Sequence, residues 1–204
     1  MLEDVPSPID LRHMSDAMAW EKSAMSKRPW RVEFFEQFAA EITAHPHRVH
    51  RVLELGSGPG FLAEHLLSVI SGLSYVLLDF SPAMQQLAKL RLDDLAEHAQ
   101  FIERSFKQDN WPEGLGQFEC VVTHQAVHEL RHKRYASQLH AQVRSLLTPG
   151  SIYLVCDHYF GDSGMKNDQL YMTVTEQKQA LIEAGFTSVK QVLLKGGLVL
   201  HNAS

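Results

Sequence analysis

The chain has 204 residues, 45% of them hydrophobic, which is enough apolar material for one compact core. Nineteen lysines and arginines against 24 aspartates and glutamates leave a net charge of −5 and a pI of about 6.2, so no overall basic field draws the protein to nucleic acid. No apolar run approaches the roughly 20 residues that span a bilayer, and Met1-Leu2-Glu3-Asp4-Val5-Pro6 lacks the basic and apolar regions of a signal peptide.

In chain order, two helices come first, around 11–26 and 32–44, separated at Pro29 and followed by Pro46. Phe34, Phe35, Phe38 and Ile42 recur at helical spacing, a stripe suited to facing a core rather than a ligand. His45, His47 and His50 read as an exposed connector. Val52-Leu53-Glu54-Leu55 is a short apolar strand broken by one carboxylate, and it opens into Gly56-Ser57-Gly58-Pro59-Gly60. Helical spacing follows over 61–69, and a second strand over 75–78 ends on Asp79. Ser81 is a good N-cap and Pro82 suits a first helical turn; that helix should run to about residue 95, with Met84, Leu87, Ala88, Leu92 and Leu95 inward. Phe101-Ile102 is a brief third strand and 118–123 a fourth. A helix is expected from about 133 to 147, stopped by Thr148-Pro149-Gly150 before a fifth strand over 151–157. Cys120 and Cys156 lie in strand-like apolar runs and make no disulfide framework, which predicts a reducing, cytoplasmic setting. Thr173-Val174-Thr175-Glu176 reads as a capping box for a helix ending at Gly185. The stretches 188–194 and 198–202 around Gly196-Gly197 read as a terminal hairpin. Alternating strands and helices predict a doubly wound α/β sheet, with no internal repeat and no second domain.

The segment from Glu54 to Asp79 carries the chemistry. Glycines are needed where a backbone turns sharply against a ligand, and an acid about twenty residues on can accept hydrogen bonds from ribose hydroxyls. The dinucleotide fingerprint is G-x-G-x-x-G/A, but here Phe61 stands at the third small position and the glycines run G-x-G-x-G. Glu54 would repel a pyrophosphate, whereas it suits an ammonium group. On Glu54-Leu55-Gly56-Ser57-Gly58-Pro59-Gly60 and Leu78-Asp79-Phe80-Ser81-Pro82-Ala83-Met84, the chain resembles the class I S-adenosylmethionine-dependent methyltransferases. The resemblance covers about 49–202. It implies a Rossmann-like seven-stranded sheet of order 3-2-1-4-5-7-6 with an antiparallel last strand, S-adenosyl-L-methionine as cofactor and S-adenosyl-L-homocysteine as product. In such sheets ligands bind beyond the carboxyl ends of the strands, which gathers the loops 56–60, Asp79-Phe80, Ser105-Phe106 and 123–128. By resemblance, Glu54, Gly56, Ser57, Gly58 and Gly60 support the methionine part, Asp79 the ribose and Phe80 the adenine, with Ser105, Phe106, Thr123 and His124 completing the site. The family's Gly-Asp after the third strand is replaced by Arg104-Ser105, with Arg104 read as a solvated residue and Asp109 as a possible substitute acid.

His124, His128 and His132 are spaced for one helical face, but the first two fall in a strand-to-helix loop, so no metal site is expected. His128 in Ala126-Val127-His128-Glu129-Leu130 resembles a family loop pattern; as a neutral imidazole it would orient or deprotonate the acceptor, and otherwise it caps the following backbone. In-line methyl transfer asks mainly for position and a dry cavity, so no triad is expected. Thr123-His124-Gln125-Ala126 stands where base-amino methyltransferases carry Asn/Asp-Pro-Pro-aromatic, which argues against DNA adenine methylation. Residues 1–48 are expected to form a helical lid over the core 49–204, with Trp20, Trp30, Met14, Met18 and Met25 as cover and the short 158–173 insert adding little. The reading is methyl transfer to an unidentified small molecule. Lys22, Lys27, Arg28, Arg31, Arg131, Lys133 and Arg134 leave an anionic acceptor or RNA open, although no aromatic-interleaved basic stripe supports RNA. A non-catalytic cofactor-binding or regulatory member is the alternative, and an NAD-dependent oxidoreductase is disfavoured by Phe61.

Overall fold

Strands covered on both faces read as continuous apolar runs, and the central ones do. Residues Val52 to Leu55 of β1 (Arg51–Leu55) and Tyr75 to Asp79 of β2 (Ser74–Asp79) are all buried. The computed structural model describes residues 4–204; Met1, Leu2 and Glu3, part of the segment read for a signal peptide, lie outside the described residues. With β3 (Ala99–Glu103), β4 (Phe118–His124), β5 (Leu147–His158), β6 (Val189–Lys195) and β7 (Leu198–Ala203), the sheet has seven strands in the order β3-β2-β1-β4-β5-β7-β6. Strands β1 to β5 pair in parallel, and β7 runs antiparallel to both β5 and β6, the expected topology.

One sheet face packs against α2 (Arg31–Ala44), α3 (Phe61–Val69) and α4 (Pro82–Leu92), the other against α5 (Ala136–Ser145) and α6 (Val174–Glu183). The Phe34, Phe35, Phe38 and Ile42 stripe is buried in the first layer. Truncating Phe34 or Phe38, both fully buried, to alanine would cost about 3–5 kcal/mol. Helix α1 (Met14–Lys27) docks Ala17 on Ala83, Met84 and Leu87 of α4. Ser81 caps α4 by accepting from the Met84 amide, and Thr173 and Glu176 form the expected capping box on α6.

Boundaries differ where one residue breaks local periodicity. Helix α4 stops at Leu92, because Asp93 takes φ +46, and a 3-10 turn over Asp93–His98 carries Leu95 half-buried against the core. The expected 133–147 helix divides into a 3-10 turn, Lys133–Tyr135, and α5. Thr148-Pro149-Gly150 does not stop a helix: Leu147 already pairs with Phe118, and the register slips between Phe118 and Cys120, a bulge that accommodates Pro149 in the first part of β5. His124 is the last residue of β4 rather than a loop residue. Among the described residues no helix is long and apolar enough to cross a membrane.

Candidate active site

The glycine loop is a rigid shelf at the carboxyl end of β1. The Gly56 and Ser57 amides both donate to the Leu78 carbonyl at 2.8 and 3.2 Å, tying the loop to β2. From outside, Arg91 donates to the Pro59 carbonyl at 2.8 Å, pairs with Glu21 and Glu64, and lies 3.8 Å from the Phe61 ring centroid. The glycines serve different ends. A Cβ on Gly56 would come within 2.4 Å of the Ala126 Cβ, so that position is closed by packing. Gly60 (φ +80) caps α3 and backs onto Ala88 of α4. Gly58 has φ +55, yet a Cβ there would meet nothing within 4 Å, because it faces an open cavity.

Asp79 at the end of β2 is 5% exposed and accepts from the Gly58 amide at 2.8 Å and the Ser81 amide at 2.9 Å. Burial raises its pKa to about 6, even though those amides favour the carboxylate. Glu54 is buried in β1 and accepts from the Tyr75 hydroxyl at 2.9 Å; burial lifts its pKa to about 8 against that bond. Two polar atoms on the same wall, Ser57 Oγ and His124 Nε2, are buried without a partner among the described residues. An open Gly58 shelf beside Asp79, with an orphaned hydroxyl and imidazole nearby, is a cradle that fits a polar ligand of nucleoside size.

That cradle is part of a cavity of about 630 Å³ lined by Glu54, Gly56, Ser57, Gly58, Asp79, Phe80, Phe106, His124 and His128 among others. The cavity thus gathers most of the candidate site residues. Gly60 and Thr123 lie outside it: the Thr123 hydroxyl donates to the Leu55 carbonyl at 3.0 Å, bracing β1 against β4. Ser105 borders an adjoining groove instead, where its hydroxyl accepts from the Lys107 amide. Arg104 is only partly solvated; it donates to the Trp111 and Glu113 carbonyls, both at 2.7 Å, and so pins the loop after β3. Asp109 borders a separate small hollow and accepts from Gln138.

The cover over the cavity differs from the expected one. Trp20 reaches it, but Met14, Met25 and Trp30 pack into the protein and Met18 is exposed. The segment from Val5 to Leu11, which has no periodicity to read, forms part of the cavity wall. Arg131 (φ +68) clamps it: its guanidinium donates to the Val5 and Pro6 carbonyls at 2.9 and 2.7 Å, and the Val5 amide donates to the Arg131 carbonyl. Ser81 Oγ anchors the far end on the Leu11 carbonyl. The insert after β5 adds more than expected, supplying Met165, Asn167, Leu170 and Tyr171 to the wall.

His128 sits on a 3-10 turn after β4 and is held by Asp157, near the end of β5. Its amide donates to Asp157 Oδ2 at 2.7 Å and its Nδ1 to Oδ1 at 2.7 Å; its Nε2 lies 3.4 Å from Glu129. Burial would lower the His128 pKa, but Asp157 and then Glu129 outweigh it and raise it to about 10. Asp157 is correspondingly held below the usual carboxylate range against its own burial. The two carboxylates thus favour the imidazolium form of the ring over the neutral imidazole expected, and both were missed by sequence reasoning. Position at the end of a central strand was the available signal for Asp157. The His124 ring, besides lining the cavity, packs against Phe34, Phe35 and Phe38, and burial holds it neutral. His132 accepts from the Arg134 amide. Among the described residues no three such groups converge on a metal position.

Residues 53–153 match a family model described as a methyltransferase domain. The chain is similar in structure to an O-methyltransferase family protein from Burkholderia thailandensis, at 16% identity and TM-score 0.70, covering 96% of this chain and 63% of that one. It is similar to human N-acetylserotonin methyltransferase in complex with SAM, at 17% identity and TM-score 0.73, covering 95% and 56%. A third similarity is to Streptomyces venezuelae DesVI, at 16% identity and TM-score 0.72, covering 92% and 97%. The chain thus spans less than two thirds of the length of the first two, and identities this low show a shared fold. No curated protein matches the sequence.

Proposed function

We propose that this chain, whose residues 53–153 match a methyltransferase-domain model, is a class I S-adenosylmethionine-dependent methyltransferase, and that its cavity binds S-adenosyl-L-methionine and serves methyl transfer to a small-molecule acceptor, leaving S-adenosyl-L-homocysteine. When bound, the cofactor supplies a methyl group on a sulfonium for in-line displacement. The observation that carries the reading is the open shelf at Gly58 beside the buried Asp79, in one cavity with His128. Glu54 and the unpartnered Ser57 hydroxyl face the methionine end, Asp79 the ribose, and Phe80 and Phe106 the flat adenine ring. The imidazolium of His128, fixed by Asp157, orients the acceptor. Where the acceptor holds a proton, the carboxylate of Glu129 beside it, or His128 once neutral, receives that proton.

Of the N-terminal region, the stretch from Val5 to Leu11 and Trp20 serve as cover, and 49–204 as cofactor-binding core of one domain, in a reducing cytoplasm where Cys120 and Cys156 stay buried thiols. Mass spectrometry of ligand carried through purification, followed by calorimetric titration, tests the reading. Both sulfur nucleosides should bind, and saturable binding of NAD in their place overturns it.

A further inference from the structure

Arg31 is an anomaly on the cavity wall. It opens α2 and is only 3% exposed, yet no carboxylate pairs with it among the described residues. Arg131, the other buried arginine, differs: Glu129 and the Val5 and Pro6 carbonyls occupy its fork. Of the three Arg31 guanidinium nitrogens, only Nε has a hydrogen-bond partner among the described residues, Gln125 Oε1 at 2.7 Å. One face of the group lies 5.2 Å from the Trp20 ring centroid, a cation–π contact that neutralises no charge. Burial, and then the second cation Arg28 on the same cavity, lowers the Arg31 pKa to about 10, which still leaves it charged at neutral pH. A desolvated cation without an anion is costly to keep, and a planar fork with free donors matches a carboxylate.

Its neighbours do not supply that anion. Arginine only donates, so Gln125 must turn its oxygen to Arg31 and its amide nitrogen to His158 Nε2 at 2.9 Å. His158 Nε2 is then the acceptor and the ring is neutral, as its strongly lowered pKa also requires. Beyond it, 5.3 Å between ring centroids, stands His128, which already engages Asp157 and Glu129. One end of this polar rim therefore presents unneutralised positive charge and the other presents His128.

Resting on the methyltransferase reading above, we infer that the acceptor is a small organic acid whose carboxylate seats on Arg31, with Arg28 beside it, directing the rest of the molecule towards His128. Trp20, Phe35 and Tyr171 line the cavity between and suit an apolar or aromatic body.

Benzoate and its neutral counterpart benzamide are direct probes. Protein saturated with S-adenosyl-L-homocysteine is titrated with each, following tryptophan fluorescence, since Trp20 lies against the guanidinium. Benzoate should bind at least tenfold tighter than benzamide, and Arg31→Gln should erase that preference while thermal unfolding stays cooperative. Equal binding of the two probes, no benzoate binding, or an Arg31→Gln variant with undiminished benzoate affinity overturns the inference. Should Arg31→Gln fail to fold, Arg31→Lys keeps charge but not the fork, and must lower benzoate affinity several-fold. A parallel titration compares S-adenosyl-L-homocysteine with 5′-methylthioadenosine, which lacks the amino-acid carboxylate. A tenfold loss for the former alone in Arg31→Gln assigns the guanidinium to the cofactor and overturns the acceptor assignment. If neither nucleoside binds the unaltered protein, the methyltransferase reading itself fails, a result separate from the benzoate arm, which is then run without nucleoside.

Discussion

Asp157→Asn tests the His128 pairing through stability. The Asp157 carboxylate accepts from the His128 amide, the His128 ring and the His158 amide. Asparagine has one acceptor oxygen, so its amide group must face at least one of these donors. A net pKa rise for His128 from 6.5 to about 10, left after the opposing cost of burial, corresponds to a contribution of about 5 kcal/mol to stability at low pH. Breaking a buried pair by removing one partner costs about 3–5 kcal/mol, which agrees. The sign with pH follows from linkage: a raised folded-state pKa stabilises fully below the unfolded value of 6.5 and loses that contribution as pH rises through about 10. Asp157→Asn should therefore lower stability by about 3–5 kcal/mol at pH 6, narrowing above pH 10 towards the roughly 1–3 kcal/mol of an unsatisfied donor. Urea unfolding of both proteins at the two pH values reads the difference directly, and for a chain of this size each kcal/mol moves Tm by about 2–4 °C. A gap that is the same at both pH values, or below about 1 kcal/mol at pH 6, would show that His128 carries no buried charge.

Gly58→Val should leave a cooperatively folding protein, at a backbone cost of about 1–2 kcal/mol for a side chain at φ +55, while abolishing nucleoside binding. Gly56→Ala should instead damage the fold, since its Cβ strikes Ala126, and the two variants compared by thermal melt and calorimetry separate shelf from packing. Asp79→Asn should weaken S-adenosyl-L-homocysteine by about 1.5–3 kcal/mol. In the unaltered protein, affinity should fall as pH drops through about 6, where Asp79 takes up a proton; a flat profile from pH 5 to 8 contradicts this. His128→Asn keeps a donor for Asp157, so turnover on the acceptor should drop about 10²–10⁴-fold with cofactor affinity unchanged. Full turnover would leave His128 a capping residue only.

Sheet order, the glycine loop and Asp79 were legible in the sequence because each is a local pattern: a buried strand, a turn that needs glycine, an acid at a strand end. The same locality explains what stayed hidden. Arg131 meets Val5 across 126 positions, and no spacing rule links an arginine to a carbonyl that far away. Arg31 stood in the sequence as one of several basic residues, because its burial depends on Trp20 and Gln125 arriving from other elements. Asp157 read as the end of a strand, and only the parallel pairing of β4 with β5 brings it under His128. Helix ends were misjudged at Asp93 and Pro149, where a positive φ and a register slip interrupt otherwise regular patterns.

The clamp of Arg131 on Val5 and Pro6 also bears on traffic. The Val5–Ile9 stretch borders both the main cavity and the adjoining groove, so it divides one space into two rooms. A molecule lodged behind it leaves when a few hydrogen bonds to one arginine let go, whatever its own grip on Asp79 or Gly58. Residence time is then expected to be set by a residue that need not touch the occupant's reacting atoms. Loosening that single latch should quicken exchange of spent product more than it weakens equilibrium binding.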